Sequence, residues 1–156
     1  MSIDRAKDHL AKFGKTDDVM EFDTSSATVE LAAAAVGCEP ARIAKTLSFA
    51  IGDRVALIVC AGDARIANPR FKERFNTKAK MLSPDEAEER IGHAVGGVCP
   101  FGVSDECDIY LDESLKRFDT VFPACGSSNS AIELTLDELK EIAEGSTWVD
   151  VCKLPE

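Results

Sequence analysis

The alternation of polar and apolar positions switches repeatedly between two periods. Residues 2–13 set Ile3, Ala6, Leu10 and Phe13 at helical spacing, with Gly14 following as a C-cap. A short strand is predicted over 19–22. The hydroxyl-rich stretch 24–28 then offers N-caps to an alanine-rich helix, 29–36, which has Glu30 in its first turn and stops at Gly37. Pro40 opens a helical turn. Two apolar runs of strand length, 41–50 and 55–60, flank Gly52-Asp53 and predict a β-hairpin.

Beyond the hairpin, Asn68-Pro69 starts a short helix over 69–75, and a strand is predicted over 78–82. Ser83 and Glu86 form a capping box with Pro84 at the first helical position, so a helix runs to Ile91 before Gly92. Residues 107–111 alternate like a strand, and 113–118 predict a short helix. A second hairpin pairs 120–125 with 131–134 through the loop 126–130. Thr135 and Glu138 make another capping box for a helix to Ala143, and 148–152 predict a last strand. Strands that arrive mostly as hairpins, with helices between them, imply an α/β chain of the α+β type. The expected sheet is mixed and mostly antiparallel, with helices packed around it.

Composition narrows the class. A chain of 156 residues with 45% hydrophobic and 29% charged residues suits one soluble domain, spanning 1–156. The N-terminus has charges where a signal peptide needs an apolar core, and no apolar run approaches membrane-span length, which predicts a cytoplasmic protein without a membrane partner. Cys38, Cys60, Cys99, Cys107, Cys125 and Cys152 form no C-x-x-C pair, and neither histidine stands at metal-ligand spacing from them. No disulfide, zinc or other metal, and no cofactor, is expected.

The net charge of −10 opposes general nucleic-acid binding, yet the charge is uneven. Residues 65–80 carry Arg65, Arg70, Lys72, Arg74, Lys78 and Lys80 against Glu73 alone, a local +5. Such a patch on an acidic body steers a phosphate backbone to one place, although a charge run can equally be a solvated helix face.

Two further features carry candidate chemistry. Strand alternation puts Lys45 on one face with Ile43, Leu47 and Phe49. An ammonium there must snorkel, pair, or face a cleft that binds an anion. The stretch Gly96-Gly97-Val98-Cys99-Pro100-Phe101-Gly102 cannot be helix interior, and its backbone N–H groups can approach a ligand closely. It matches neither a Walker loop nor a dinucleotide fingerprint.

Taken in order, residues 29–37, Ile43-Ala44-Lys45-Thr46-Leu47, the glycine loop, and 126–129 leading into Ala131-Ile132-Glu133-Leu134 resemble the YbaK/ProX family. These are aminoacyl-tRNA deacylases related to the editing domain of bacterial prolyl-tRNA synthetases. The resemblance covers about residues 25–145 and implies a curved, barrel-like sheet. It also implies trans-editing: hydrolysis of the ester on a mischarged tRNA, Cys- or Ala-charged tRNA-Pro foremost, with a synthetase as a further candidate partner.

In that reading Lys45, Gly97 and Gly102 are catalytic. Lys45 supplies fixed positive charge and the loop supplies oxyanion donors, while water or a substrate hydroxyl attacks. Thr46, Gly96, Val98, Cys99, Pro100, Phe101 and Asn129 bind substrate, and Arg65, Arg70, Lys72 and Arg74 hold the tRNA backbone. Cys99 stands where the family usually has a small or hydroxyl residue. Two alternatives stay open. One is a non-catalytic module on the same fold that binds a tRNA end or a protein. The other is a thiol enzyme using Cys99 with His93 as base.

Overall fold

A computed structural model describes residues 2–26, 28–93 and 97–155. Five α-helices are present among them: α1 (Ser2–Ala11), α2 (Val29–Val36), α3 (Asn68–Phe75), α4 (Pro84–Ile91) and α5 (Leu136–Ile142). Three of them, α2, α4 and α5, start where a side chain relieves an orphan N–H group of the first turn, and α3 has Pro69, with no N–H to satisfy, in its first turn. Thr28 Oγ1 accepts from Leu31 N at 3.1 Å, and both predicted capping boxes form, at Ser83/Glu86 and Thr135/Glu138.

The central sheet is built on the predicted hairpin. Strands β2 (Ile43–Ile51) and β3 (Arg54–Ala61) pair from Ala44↔Ala61 to Ile51↔Arg54, leaving Gly52 and Asp53 as a two-residue turn. Gly52 has φ 57°, a conformation such a turn requires and glycine adopts without steric cost. β3 then pairs in parallel with β5 (Cys107–Asp112), and β5 in parallel with β9 (Thr147–Val149). On the other side, β2 meets β6 (Thr120–Pro123) in parallel, and β6 meets β8 (Leu134–Thr135) antiparallel. The six strands form a curled half-barrel. β3 lies within this sheet and is buried from Val55 to Ala61, which is why its sequence is a continuous apolar run rather than an alternating one.

Two short ladders complete the fold: β1 (Met20–Glu21) with β7 (Ser130–Ala131), and β4 (Arg65–Ile66) with β10 (Cys152–Lys153), both antiparallel. The sheet is mixed, as expected, but not mostly antiparallel: among the described residues three of the five pairings of the six-strand sheet are parallel, because β6, β5 and β9 are each reached through a crossover rather than a hairpin.

Four local expectations change, one of them at 148–152, which is not one strand: Trp148 and Val149 pair with β5, and Cys152 with β4. The segment 131–134 is not one strand: Ala131 pairs with β1 and Leu134 with β6, and Ile132 is buried between them. The 78–82 segment is a single bridge, Phe49↔Met81, with Ala50 N donating to Lys80 O and Leu82 N to Ser48 O. Residues 113–117 form a 3₁₀ helix, capped by Asp112, whose Oδ2 accepts from Ser114 N at 2.9 Å.

Candidate active site

The site begins at a parting in the sheet. β2 pairs with β6 only at Ile43 and Ala44, and the 80–82 segment meets it again at Ser48. Between those points no strand among the described residues covers the β6 side of Lys45–Leu47. An uncovered edge presents main-chain donors and acceptors. A cavity of about 300 Å³ opens there, lined by β2 from Ile43 to Ser48 and by Val29 and Ala32 of α2. Leu82, Val98, Phe122 and Ala124 are among its other walls. Among the described residues that line it, Lys45 alone carries a charged side chain.

Lys45 also lines two further depressions. One is a polar groove of about 710 Å³ with Glu30, Asp63, Arg65 and Lys153. The other is an outer slot of about 390 Å³ with Leu47, Phe49, Arg65, Ile66, Asn68, Ala79 and Met81. All three therefore meet at Lys45. Its Nζ donates to Gly62 O at 3.2 Å, and an ammonium has three protons to give. The neighbouring Asp63 carboxylate is engaged by Arg117 at 2.6 and 3.1 Å, and that hydrogen bonding holds its pKa below the ordinary carboxylate value. Lys45 is thus not neutralised by a direct ion pair with Asp63. Beside it, Thr46 Oγ1 is buried without a hydrogen-bond partner among the described residues. A buried hydroxyl left unpaired costs about 1–3 kcal/mol, which a polar ligand group in the cavity would relieve.

The glycine loop divides. Gly96 lies outside the described residues. Val98 faces the inner cavity. Gly97 lies against the loop 126–127: a Cβ on it would sit 2.5 Å from Ser127 N and 2.6 Å from Gly126 C. Its smallness serves loop-on-loop packing before any ligand. Gly102 and Pro100 are not at the cleft, because they line a separate depression with His9 and Lys12, and a Cβ on Gly102 would meet the Arg5 carbonyl at 2.4 Å. Cys99 and Phe101 are fully buried core residues. Asn129 is likewise turned to structure: its Nδ2 donates to Phe22 O at 2.9 Å and its Oδ1 accepts from Ser127 Oγ. Among the described residues, no N–H from Gly97 to Val103 donates to a backbone carbonyl.

Cys99 and His93 do come together, with Sγ 3.6 Å from Nε2. The same Nε2 lies 2.6 Å from Phe101 O, and a carbonyl only accepts, so Nε2 carries the proton and cannot take one from the thiol. Burial pushes the Cys99 thiol up to about 12 and the imidazole down from its usual value. Both side chains are inaccessible. The pair is neutral and sealed, which removes it as a nucleophile and base.

The basic residues are exposed, in two settings. Arg65, on β4, rims both outer depressions. On α3, Arg70 donates to Cys152 O at 2.6 Å and pairs with Asp150, while Arg74 lies over the Phe75 and Tyr110 rings at 5.2 and 5.5 Å. Lys72, Lys78 and Lys80 are exposed to solvent. Ser26, Met81, Phe122 and Ser130 also line the inner cavity, although nothing in their sequence neighbourhood points there. The hydroxyl cluster at 24–28 reads as capping; Thr28 does cap α2, and Ser26 faces the cavity as well.

Comparison with known proteins gives this geometry its class. The aminoacyl-tRNA editing domain family matches residues 23–142. The uncharacterized protein YwhH of Bacillus subtilis is 55% identical over 154 residues, covering 98% of both chains. EbsC of Enterococcus faecalis, provisionally named a Cys-tRNA(Pro)/Cys-tRNA(Cys) deacylase, is 26% identical, with 76% of this chain and 73% of its own aligned. A solved structure described as a candidate trans-editing enzyme for prolyl tRNA synthetase superposes with a TM-score of 0.87 at 29% identity and 97% coverage of each chain. A proline–tRNA ligase of Geobacillus sp. is 28% identical, and the aligned region is 18% of that longer chain. The chain belongs to the aminoacyl-tRNA editing domain family. Membership makes it a hydrolase that acts on the ester bond of mischarged aminoacyl-tRNA.

Proposed function

We propose that this protein is a trans-editing deacylase for tRNA-Pro carrying a small uncharged amino acid, cysteine or alanine foremost, and that it works in the cytoplasm. The observation that carries the reading is the position of Lys45, where an uncharged cavity meets depressions rimmed by Arg65. The aminoacyl group enters the cavity, where a cationic side chain would meet Lys45 and find no countercharge in the lining. The ester carbonyl then lies near Lys45, with the tRNA end leading out past Arg65 to Lys72 and Arg74.

Water attacks the carbonyl carbon, and a substrate hydroxyl can orient it by accepting a hydrogen bond. Lys45 Nζ and the main-chain N–H of Val98, the loop residue that faces the cavity, stabilise the oxyanion, Thr46 Oγ1 orients the substrate, and collapse breaks the bond to the ribose oxygen, which takes up the proton from the attacking water. The products are the free amino acid and the tRNA 3′-terminal hydroxyl. An activated ester needs no stronger nucleophile, so no metal or cofactor is given a step. The reading takes 1–156 as one editing domain, since the main core runs from Ala6 to Cys152, beyond both ends of the family match.

A deacylation panel tests it: tRNA-Pro charged with Cys, Ala or Pro, beside other mischarged pairs. Fast loss of Cys or Ala with Pro spared is expected. Binding of the charged tRNA without hydrolysis of any ester above the buffer rate would instead mark a non-catalytic module.

A further inference from the structure

Three depressions share Lys45, and the proposed reaction occupies only one of them. We infer that the outer slot is a nucleobase site, holding the base of the terminal adenosine while the inner cavity holds the aminoacyl group. The inference rests on the function proposed above. An aminoacyl ester places its amino acid and its terminal nucleoside on either side of one ribose. With the amino acid in the inner cavity, the nucleoside lies in a depression that also touches Lys45.

The two candidates differ in chemistry. The polar groove mixes Glu30 and Asp63 with Lys45, Arg65 and Lys153, and its apolar residues, Val29, Ala64, Leu154 and Pro155, are interspersed with these charges, so a ring bound there would lie against charged groups. The outer slot is walled by Leu47, Phe49, Ile66, Ala79 and Met81. A purine has two apolar faces and a polar edge, so it needs apolar walls with donors and acceptors at the rim. Asn68 supplies the rim amide, and Lys45 and Arg65 supply positive charge toward the sugar-phosphate side.

Met81 is the telling residue. It is 57% exposed, one of three large apolar side chains among the described residues that stand out from the surface, and it lines both the slot and the inner cavity. A flexible, polarisable thioether suits contact with a ring. Asn68, which lines the slot, is the first residue of α3, so a strand leaving on that side continues onto the exposed cations of that helix. The order of sites along the substrate is therefore aminoacyl group, Lys45, base, then phosphates.

Two measurements decide it. In the first, the full-length protein hydrolyses two esters of the fastest amino acid from the panel, one of adenosine and one of a ribose lacking a base. The wild type should favour the adenosine ester, and Met81→Ala should cut that preference about tenfold, mainly in KM, with Met81→Leu restoring most of it. An unchanged ratio in Met81→Ala, or no preference in the wild type, overturns the slot.

In the second, the Met81 methyl resonance is followed during titration with adenosine 5′-monophosphate and, separately, ribose 5-phosphate. A saturable shift with the nucleotide alone supports a base site. No shift, or the same shift with both, overturns it. The titration needs no turnover, so it separates failure of this slot from failure of the deacylase reading: inert esters with a shifted Met81 would sink the enzyme and keep the base site.

Discussion

The Lys45 cleft and the Cys99–His93 pair each set potentially reactive side chains beside one another, and each contains a buried polar atom without a hydrogen-bond partner among the described residues, Thr46 Oγ1 in one and His93 Nδ1 in the other. They differ in what surrounds them. Lys45 sits at a parting of the sheet, with one Nζ bond to Gly62 O and three depressions around it. Cys99 and His93 sit in the packed interior, where desolvation favours their neutral forms and the Phe101 carbonyl fixes the tautomer that makes the imidazole useless as a base to the thiol. Proximity of reactive types is not a site. Access and charge state decide.

The comparison breaks first at Lys45. Lys45→Ala should lower kcat/KM for a mischarged tRNA by about 2–3 kcal/mol of transition-state stabilisation, roughly a hundredfold, with the melting temperature little changed. Full activity in that variant would take the lysine out of the reaction.

Gly97→Val probes the seam between the two regions. Its side chain would press on the Ser127 backbone, so it should destabilise the fold by about 1–3 kcal/mol, with activity falling as a consequence. Chemical denaturation beside turnover at low temperature separates the two. A variant as stable as the parent but inactive would return Gly97 to the ligand side.

A smaller effect is expected from the exposed cations. Lys72→Glu combined with Lys78→Glu should raise KM for charged tRNA several-fold and reduce the steepness of its salt dependence by about one unit per lost phosphate contact. A minimal aminoacyl-adenosine ester should be untouched, because neither lysine lines the inner cavity or the outer slot. An equal loss on both substrates would mean the pair disturbs the cleft.

The least change should come from the thiol. Iodoacetamide at pH 8 should leave activity intact, because Cys99 is buried and protonated there. Rapid inactivation that Cys99→Ala prevents would restore the thiol enzyme. Linkage gives a second readout. The folded-state pKa is raised from 9.0 to about 12, so the stabilisation is complete below pH 9 and is lost as pH rises toward 12. Cys99→Ala should flatten that alkaline loss in unfolding experiments.

Much of the fold is legible from local pattern. Both capping boxes, the Gly52-Asp53 hairpin and the alanine-rich helix form because each is set within a few residues. Lys45 was legible for the same reason, as a cation on an otherwise apolar strand face. The glycine loop was only partly so. Its backbone freedom follows from its residues, but which of them meet the cleft depends on segments far along the chain: Arg5 behind Gly102, and Gly126–Ser127 against Gly97. Asn129 is similar, since its partner is Phe22.

By itself, then, the sequence determined the elements, the strand face of Lys45, the basic segment within 65–80 and the family, all written in short-range spacing and residue type. Tertiary structure alone decided that β2 parts from β6 after Ala44 and that three depressions converge on Lys45. It also decided that the Cys99 thiol is sealed in the core. Those facts come from contacts between residues distant in the chain and from the burial they create, which no local period encodes.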